Sequence, residues 1–359
     1  MSTPSPSSDS DDGVLAIARG GGTLFAGKLF TWGVRFALAI VLARTLNADG
    51  YGLYNLAIGI ATLVATFPPI GLDTALVRFT ASAVARGEPD VARANVRFAL
   101  VVSGALSVIA AVGLFVFAGP VAELVMHDPR LAPLLVIACL AIPALVLNRH
   151  LGAVLQGVRR LDLGTLAEQF AQPVARAILI GVLLIVGMTV SWALAAWVLA
   201  AFVATGMLAY FAWRNMPAGS GHQQRSQGSQ MLRFSFPVFF SNIVSSIGDN
   251  IQTIFLGALS TVSSVGVFGV SNQLNLIGSM FHSSVVSASM ALFAETEARG
   301  DRRGLEALYQ TVSKWSVSLN LPLFLALVLF PEALLSLFGP EFREGVTALT
   351  ILAFANIIN

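Results

Sequence analysis

Charge is what this sequence has least of. Charged residues fill 11% of its 359 positions, where a soluble domain carries roughly a quarter. That supply cannot clothe a water-facing surface, so a soluble globular fold is excluded. Cysteine occurs once, at Cys139 inside an apolar run, which excludes disulfides and cysteine-type metal sites. The four histidines, His127, His150, His222 and His282, show no ligand spacing, and neither metal nor cofactor is expected. The net charge of +2 and pI of about 9.0 come from scattered basic residues with no dense cluster, so a nucleic-acid partner is not expected either. A signal peptide's positive start is missing too: Met1 to Asp12 is rich in Ser, Pro and Asp. That stretch is expected to be disordered, and the first apolar segment to be retained.

What the chain has instead is apolar residue, 56% of the total, with a mean hydropathy of +0.78. Runs of about 20 apolar residues recur throughout, each long enough as a helix to cross about 30 Å of hydrocarbon while satisfying its own backbone. The expected fold class is therefore an all-α polytopic membrane protein. Its spans are expected near 20–43, 52–71, 98–118, 131–153, 167–188, 190–212, 234–257, 264–290, 316–335 and from 346 onward.

Orientation follows from the basic residues, which favour the cytoplasmic side. With the N-terminus inside, inner loops and span ends carry Arg19, Arg78, Arg86, Arg93, Arg97, Arg149, Arg159, Arg160, Arg214, Arg225, Arg233, Arg299, Arg302, Arg303 and Lys314, and the outer ones only Arg44, Arg130 and Arg343. The outer loops are also short, which argues against an enzyme working on the outer face. The inner segment 85–97 reads as helical, with Pro89 at a helix start and Arg93 and Arg97 one turn apart, lying at the membrane surface.

A repeat organises the chain. YGLYNLA at 51–57 matches VGVFGVS at 265–271 at an offset of 214, and ARGE at 85–88 matches ARGD at 298–301 at an offset of 213. Six spans precede the polar stretch 218–230, after which a similar pattern restarts. The halves then share one orientation and are related by an axis along the membrane normal, a duplication common among transporters. The expected division is a tail at 1–19, an N-lobe at 20–213 with six helices, a linker at 214–232, and a C-lobe at 233–359 with four. A complete second half would run to about residue 426, so the second lobe is expected to be incomplete here.

The stretch LARTLNADGYGLYNLAIGIATLVATFPPIGLDTALVRFTA at 42–81 resembles the first two helices of the polysaccharide-biosynthesis (oligosaccharide-lipid) flippases, in the superfamily that includes the MATE exporters. The residues that carry the resemblance are Ala43, Arg44, Leu46, Gly52 and Tyr54, then Gly71, Leu72, Asp73, Ala75, Arg78 and Phe79. Asp249, Asn250 and LGALS at 256–260 continue it, as does LFGPEF at 337–342. The resemblance implies a V-shaped bundle of two pseudo-symmetric six-helix lobes in the cytoplasmic membrane. It implies movement of a polyprenyl-diphosphate-linked glycan from inner to outer leaflet, with membrane lipids, a possible coupling ion (proton or sodium) and the pathway's glycosyltransferases and polymerase as partners of a monomer. A lipid II flippase, a MATE-type cation exporter and a membrane-embedded glycosyltransferase are the competing readings.

Charges inside the spans each cost about 2.5–3.5 kcal/mol on insertion scales, so each needs a reason. Lys28 and Arg35, two turns apart on the first span, share a face, and with Arg176 they form a candidate diphosphate site. Lys28 could instead reach the interface, and Arg35 could make a structural ion pair. Arg176 shares the fifth span with Glu168, Gln169 and Gln172, expected as one polar face. Asp249, with Asn250 and Gln252, is the candidate gate or ion-coupling group, and the repeat maps it onto Arg35. Asn272, Gln273, Asn275 and His282 would line the cavity from the eighth span, or hydrogen-bond between helices. Asp73 and Arg78 follow a helix break expected at Pro68 and Pro69, with Arg78 as an anchor at the inner interface.

Overall fold

The computed structural model describes residues 8–219 and 226–358. The expected site residues Lys28, Asp249, Asn250 and His282 lie outside the residues whose side chains are described, as do 1–7 of the expected tail and 220–225 of the expected linker.

Long apolar stretches fold as helices because no other regular structure satisfies their backbone within themselves. In chain order these are α1 (Ser8–Val64), α2 (Leu72–Ala85), α3 (Pro89–Pro120), α4 (Leu131–Cys139), α5 (Ala141–Gly157), α6 (Leu161–Thr165), α7 (Gln172–Val186), α8 (Val190–Asn215), α9 (Gly228–Leu259), α10 (Val262–Ala298), α11 (Arg302–Leu329), α12 (Pro331–Ser336) and α13 (Val346–Ile358). Single π-turns, Val121–Val125 and Leu166–Ala171, continue α3 and join α6 to α7. Among the described residues, five helical runs are long and apolar enough to cross a membrane: Pro89–Val125, Leu131–Gly157, Leu161–Val186, Val190–Asn215 and Arg302–Leu329. Their outward faces are greasy. On α3, Val101, Val108, Ile109, Val112, Phe115 and Val116 are all exposed, an arrangement tolerable only against lipid. The chain is thus a polytopic helical membrane protein, and the other expected spans also fall on helices.

Two local readings need correcting. The first two spans are not separated by a loop. They join in α1 through one residue, Asn47, at φ 58° and ψ 176°, a positive φ that asparagine tolerates better than most residues. Pro89 does open α3 as expected, but the segment 89–97 does not stop at a surface helix; it runs on into the third span. The break at Pro68 and Pro69 is present, and the chain turns back into helix through Ile70 (φ 47°) and Gly71 (φ 70°). A Cβ on Gly71 would stand 2.6 Å from the carbonyl oxygen of Ser235, so this turn needs glycine for both its conformation and its close neighbour. The helix α1 begins at Ser8, within the stretch expected as a tail.

The chain sorts into two compact units, each assembled from separate stretches. One comprises Met1–Leu38, Ala61–Val116 and Val136–Ile247, and the other Ala39–Ile60, Phe117–Leu135 and Gly248–Asn359. In the first unit, Leu72, Leu76, Ala99, Leu155, Ala167, Leu208 and Met231 are buried in one core. Here α2 and α5 approach closely at Gly157, where a Cβ would meet the Thr80 side chain. Asn95 ties α3 to the segment before α9, its Oδ1 accepting from the Gln227 N–H at 2.8 Å.

In the second unit, the later arm of α1 packs on α10 and on the segment after α12. Tyr51 meets the Phe342 ring edge-on at 6.3 Å, and Arg44 Nε donates to the Leu337 carbonyl at 2.8 Å. Backbones touch where side chains are missing. A Cβ on Gly52 would collide with the Val262 carbonyl, and one on Gly266 with the Ala48 carbonyl. Small residues that admit such approach are the usual glue of helix pairs in membranes.

Candidate functional site

Within the first unit, α2, α5 and the α6–α7 run line an open cavity of about 600 Å³. Asp73 sits in the first turn of α2, where the helix dipole favours a carboxylate, and its Oδ1 accepts from the Thr74 N–H at 2.9 Å. Arg78 follows on the same helix and lays its guanidinium over the Phe234 ring, 4.9 Å from the centroid, within cation–π range. On α5, Arg149, Gly152 and Gln156 recur at helical spacing and line the same wall.

The opposite wall comes from the π-turn Leu166–Ala171, which carries Glu168 and Gln169 into the cavity. Widening one turn shifts the register of everything after it, and such turns concentrate at functional positions. Gly152 makes room: a Cβ there would lie 3.0 Å from Glu168 Oε1. The cavity thus holds two guanidiniums, Arg78 and Arg149, and two carboxylates, Asp73 and Glu168. Among the described residues no ion pair joins any of these four to another.

The expected site residues fall as follows. Arg35, exposed on α1, and Arg176, half-buried on α7, belong to the same unit. Glu168 and Gln169 line the cavity, and Arg176 is not among its lining residues. In the second unit Gln252 is exposed, Asn272 and Gln273 are half-buried, and Asn275 is buried. Sequence reading gave Arg149 to the inner loops and span ends and Arg78 to the inner interface. The helical spacing of Arg149, Gly152 and Gln156 was the signal available.

A second charged arrangement stands in the other unit, between α3 and α4. Arg130 bonds Asp49 at 2.6 Å and Asp128 at 2.7 Å. The Arg130 guanidinium holds the Asp128 carboxyl below the usual carboxylate range, against a smaller opposing effect of burial. The two carboxylates in turn raise the pKa of Arg130.

Comparison with known proteins identifies the family. Residues 17–297 match the family described as "Polysaccharide biosynthesis protein". Stage V sporulation protein B of Bacillus subtilis (strain 168) is 32% identical over 141 residues, covering 39% of this chain and 27% of that protein. The succinoglycan biosynthesis transport protein ExoT of Rhizobium meliloti (strain 1021) is 26% identical over 341 residues, covering 94% of this chain and 66% of that protein. The chain therefore spans about a quarter and just under two thirds of these relatives' lengths. Among solved structures, an inward-facing multidrug resistance MATE family transporter of the MOP superfamily superposes with a TM-score of 0.64 at 16% identity, covering 90% of this chain and 81% of that one. At that identity the likeness shows the fold, which is MATE-like.

Proposed function

This chain belongs to the polysaccharide biosynthesis protein family, and on that premise we propose that it moves a polyprenyl-diphosphate-linked oligosaccharide from the inner to the outer leaflet of the cytoplasmic membrane. The observation that supports the proposal is that Arg35 and Arg176, two guanidiniums from helices far apart in sequence, belong to the same apolar unit. Cations within an apolar bundle need a reason to be there, and an anionic cargo supplies one. A diphosphate offers enough acceptor oxygens to engage both forks at once. A cation exporter on the same fold would place carboxylates there instead. Lys28 is assigned the same cationic strip.

The rest of the reading is ours as well. The N-terminus lies in the cytoplasm, on the bias of the basic residues. The segments 20–213 and 233–359 form two repeat-related lobes joined by 214–232, and the shared offset of Gly52 and Gly266 supports the repeat. Asp249, Asn250 and Gln252 couple transport to a proton or sodium ion, and Asn272, Gln273, Asn275 and His282 line the path. The protein acts as a monomer on a lipid-linked glycan, beside the glycosyltransferases and polymerase of its pathway.

The test is flipping of a fluorescent polyprenyl-diphosphate oligosaccharide in proteoliposomes. Arg35→Gln and Arg176→Gln should each slow it at least tenfold at equal protein density. Wild-type flipping rates in both variants would overturn the assignment, and transport of a lipophilic cation in place of the glycan would favour the exporter reading.

A further inference from the structure

Three exposed arginines from separate elements converge on the exit of α8. Arg214 lies in its last turn and donates through Nη1 to the Tyr210 hydroxyl at 2.7 Å. Arg160, just ahead of α6, donates through Nη1 to the Asn215 side-chain oxygen at 3.0 Å. Arg93, on α3, donates through Nε to the Pro217 carbonyl at 3.0 Å. The end of a helix favours a cation, but one would meet that need. Two carboxylates stand nearby: Asp162 pairs with Arg160, and Asp90 lies where a Cβ on Gly219 would meet it. Among the described residues no ion pair engages Arg93 or Arg214. Each is fixed by one bond to a neutral oxygen, which leaves most of the five donors of its guanidinium for another acceptor. From the same point an apolar face runs along α8, where Leu199, Phe202, Val203, Tyr210 and Trp213 are exposed at helical spacing. Trp213 is 81% exposed, so its indole stands out beside the arginines, as aromatic rings do where an apolar helix face meets headgroups.

We propose that the exit of α8 binds an anionic phospholipid of the phosphatidylglycerol class, its phosphate held by Arg93 and Arg214 and one acyl chain lying along the α8 face past Trp213. Charge complementarity names the occupant. Guanidiniums without a carboxylate partner call for an anion, and basic pockets at the ends of membrane helices are where acidic headgroups collect. The apolar face that starts at the same residues calls for a hydrocarbon chain. A phospholipid carries both on one molecule, whereas a soluble phosphate carries only the first. A zwitterionic headgroup would bring its own cation against three arginines. The face also has room for a chain. At Gly206 a Cβ would meet nothing within 4 Å, and the exposed Ala209 is small, so the helix thins between Val203 and Tyr210. Arg160, already paired with Asp162, positions the exit through Asn215. The lipid would fasten the start of α3 to the end of α8, two helices whose Ala99, Leu208 and Ala212 share one core. This inference goes beyond the transport reading and does not depend on it, because the lipid is a resident of the leaflet and not the cargo.

The experiment adds phosphatidylglycerol or phosphatidylcholine of equal chain length to the delipidated chain in detergent and counts the adducts by native mass spectrometry. Phosphatidylglycerol should bind at least fivefold more tightly. Arg93→Gln and Arg214→Gln should each bring it down to the level of phosphatidylcholine, whose own binding stays as in the wild type. Lost folding would not give that split. Arg343→Gln, in the other unit, should keep the full preference. Equal binding of the two lipids by the wild type, or an undiminished preference in either of the α3 and α8 variants, would overturn the site. An excess of sn-glycerol 3-phosphate should displace nothing, and displacement would overturn the lipid in favour of a soluble phosphate. Tryptophan fluorescence in vesicles then locates the lipid. Brominated phosphatidylglycerol should quench the wild type more than brominated phosphatidylcholine does, and the difference should vanish in Trp213→Phe. A difference that survives in Trp213→Phe would overturn the placement at α8.

Discussion

Gly52 and Gly266 pack reciprocally: each lies against the backbone carbonyl of the residue four places before the other, Val262 for Gly52 and Ala48 for Gly266. The two glycines are also equivalent in the internal repeat, at the offset of 214 that aligns 51–57 with 265–271. A contact between equivalent positions that reads the same from either side is what a local two-fold axis produces. The symmetry fails three residues later, where Asn55 stands opposite its own equivalent, Gly269, and fills the space that the glycine leaves.

The first prediction follows directly. Gly52→Ala or Gly266→Ala should cost about 3 kcal/mol, the upper end for an overpacked site, because backbone cannot rotate away as a side chain can. Thermal unfolding in detergent reads this as a fall of several degrees. Gly104→Ala, where a Cβ would meet nothing within 4 Å, is the control and should melt with the wild type. If all three behave alike, the close approach is not there.

Ile70 carries a second. A β-branched residue at φ 47° is strained by about 1–3 kcal/mol. Ile70→Asn should recover about 1 kcal/mol, whereas Gly71→Ala should destabilise. A loss of stability in Ile70→Asn would mean that the isoleucine's packing outweighs its backbone strain.

Acid should loosen the Asp128–Arg130 pair. Asp128 has a lowered pKa in the fold, so its contribution is full above its ordinary value of about 3.9 and is lost as pH falls through the folded value. Arg130 is exposed over 58% of its side chain, so solvent limits the effect to about 1 kcal/mol or less. Asp128→Asn should melt below wild type by a constant margin from pH 5 to 8, and the margin should close below about pH 4. A margin unchanged at pH 3 would assign the loss to something other than charge.

Transport gives the fourth. Asp249→Asn should abolish any dependence of glycan flipping on a proton or sodium gradient while leaving protein density in the vesicles unchanged. A variant that keeps wild-type gradient dependence would remove Asp249 from the coupling.

Much of this was legible in the residues, and the exceptions share a cause. Scarce charge and recurring apolar runs required membrane helices, and the motif through Gly71 and Arg78 pointed to the family that the match over 17–297 establishes. The repeat pointed to Gly52 and Gly266 without showing that they touch. The cavity was not legible. Arg78 and Arg149 look like interface anchors along the sequence, because charge near a span end has that bland explanation ready. Only the π-turn at Leu166–Ala171, set by packing and not by composition, turns Glu168 and Gln169 toward them. The single-residue join at Asn47 was hidden in the same way: a helix that continues through one unusual φ leaves no polar loop to read.

The interleaving of the two units bears on how the chain assembles as it is made. The stretch Ala39–Ile60 belongs with Gly248–Asn359, so Gly52 emerges about two hundred residues before the Val262 carbonyl it packs against. At a translation rate of roughly 5–20 residues per second, that partner arrives some 10–40 s later. During that interval the small-residue face of the early helix stands unmatched in the bilayer, and contacts so distant in sequence close slowly. A ribosome stalled before residue 262 would leave that face open to other helices, and quality-control proteases should recognise the arrested chain by it.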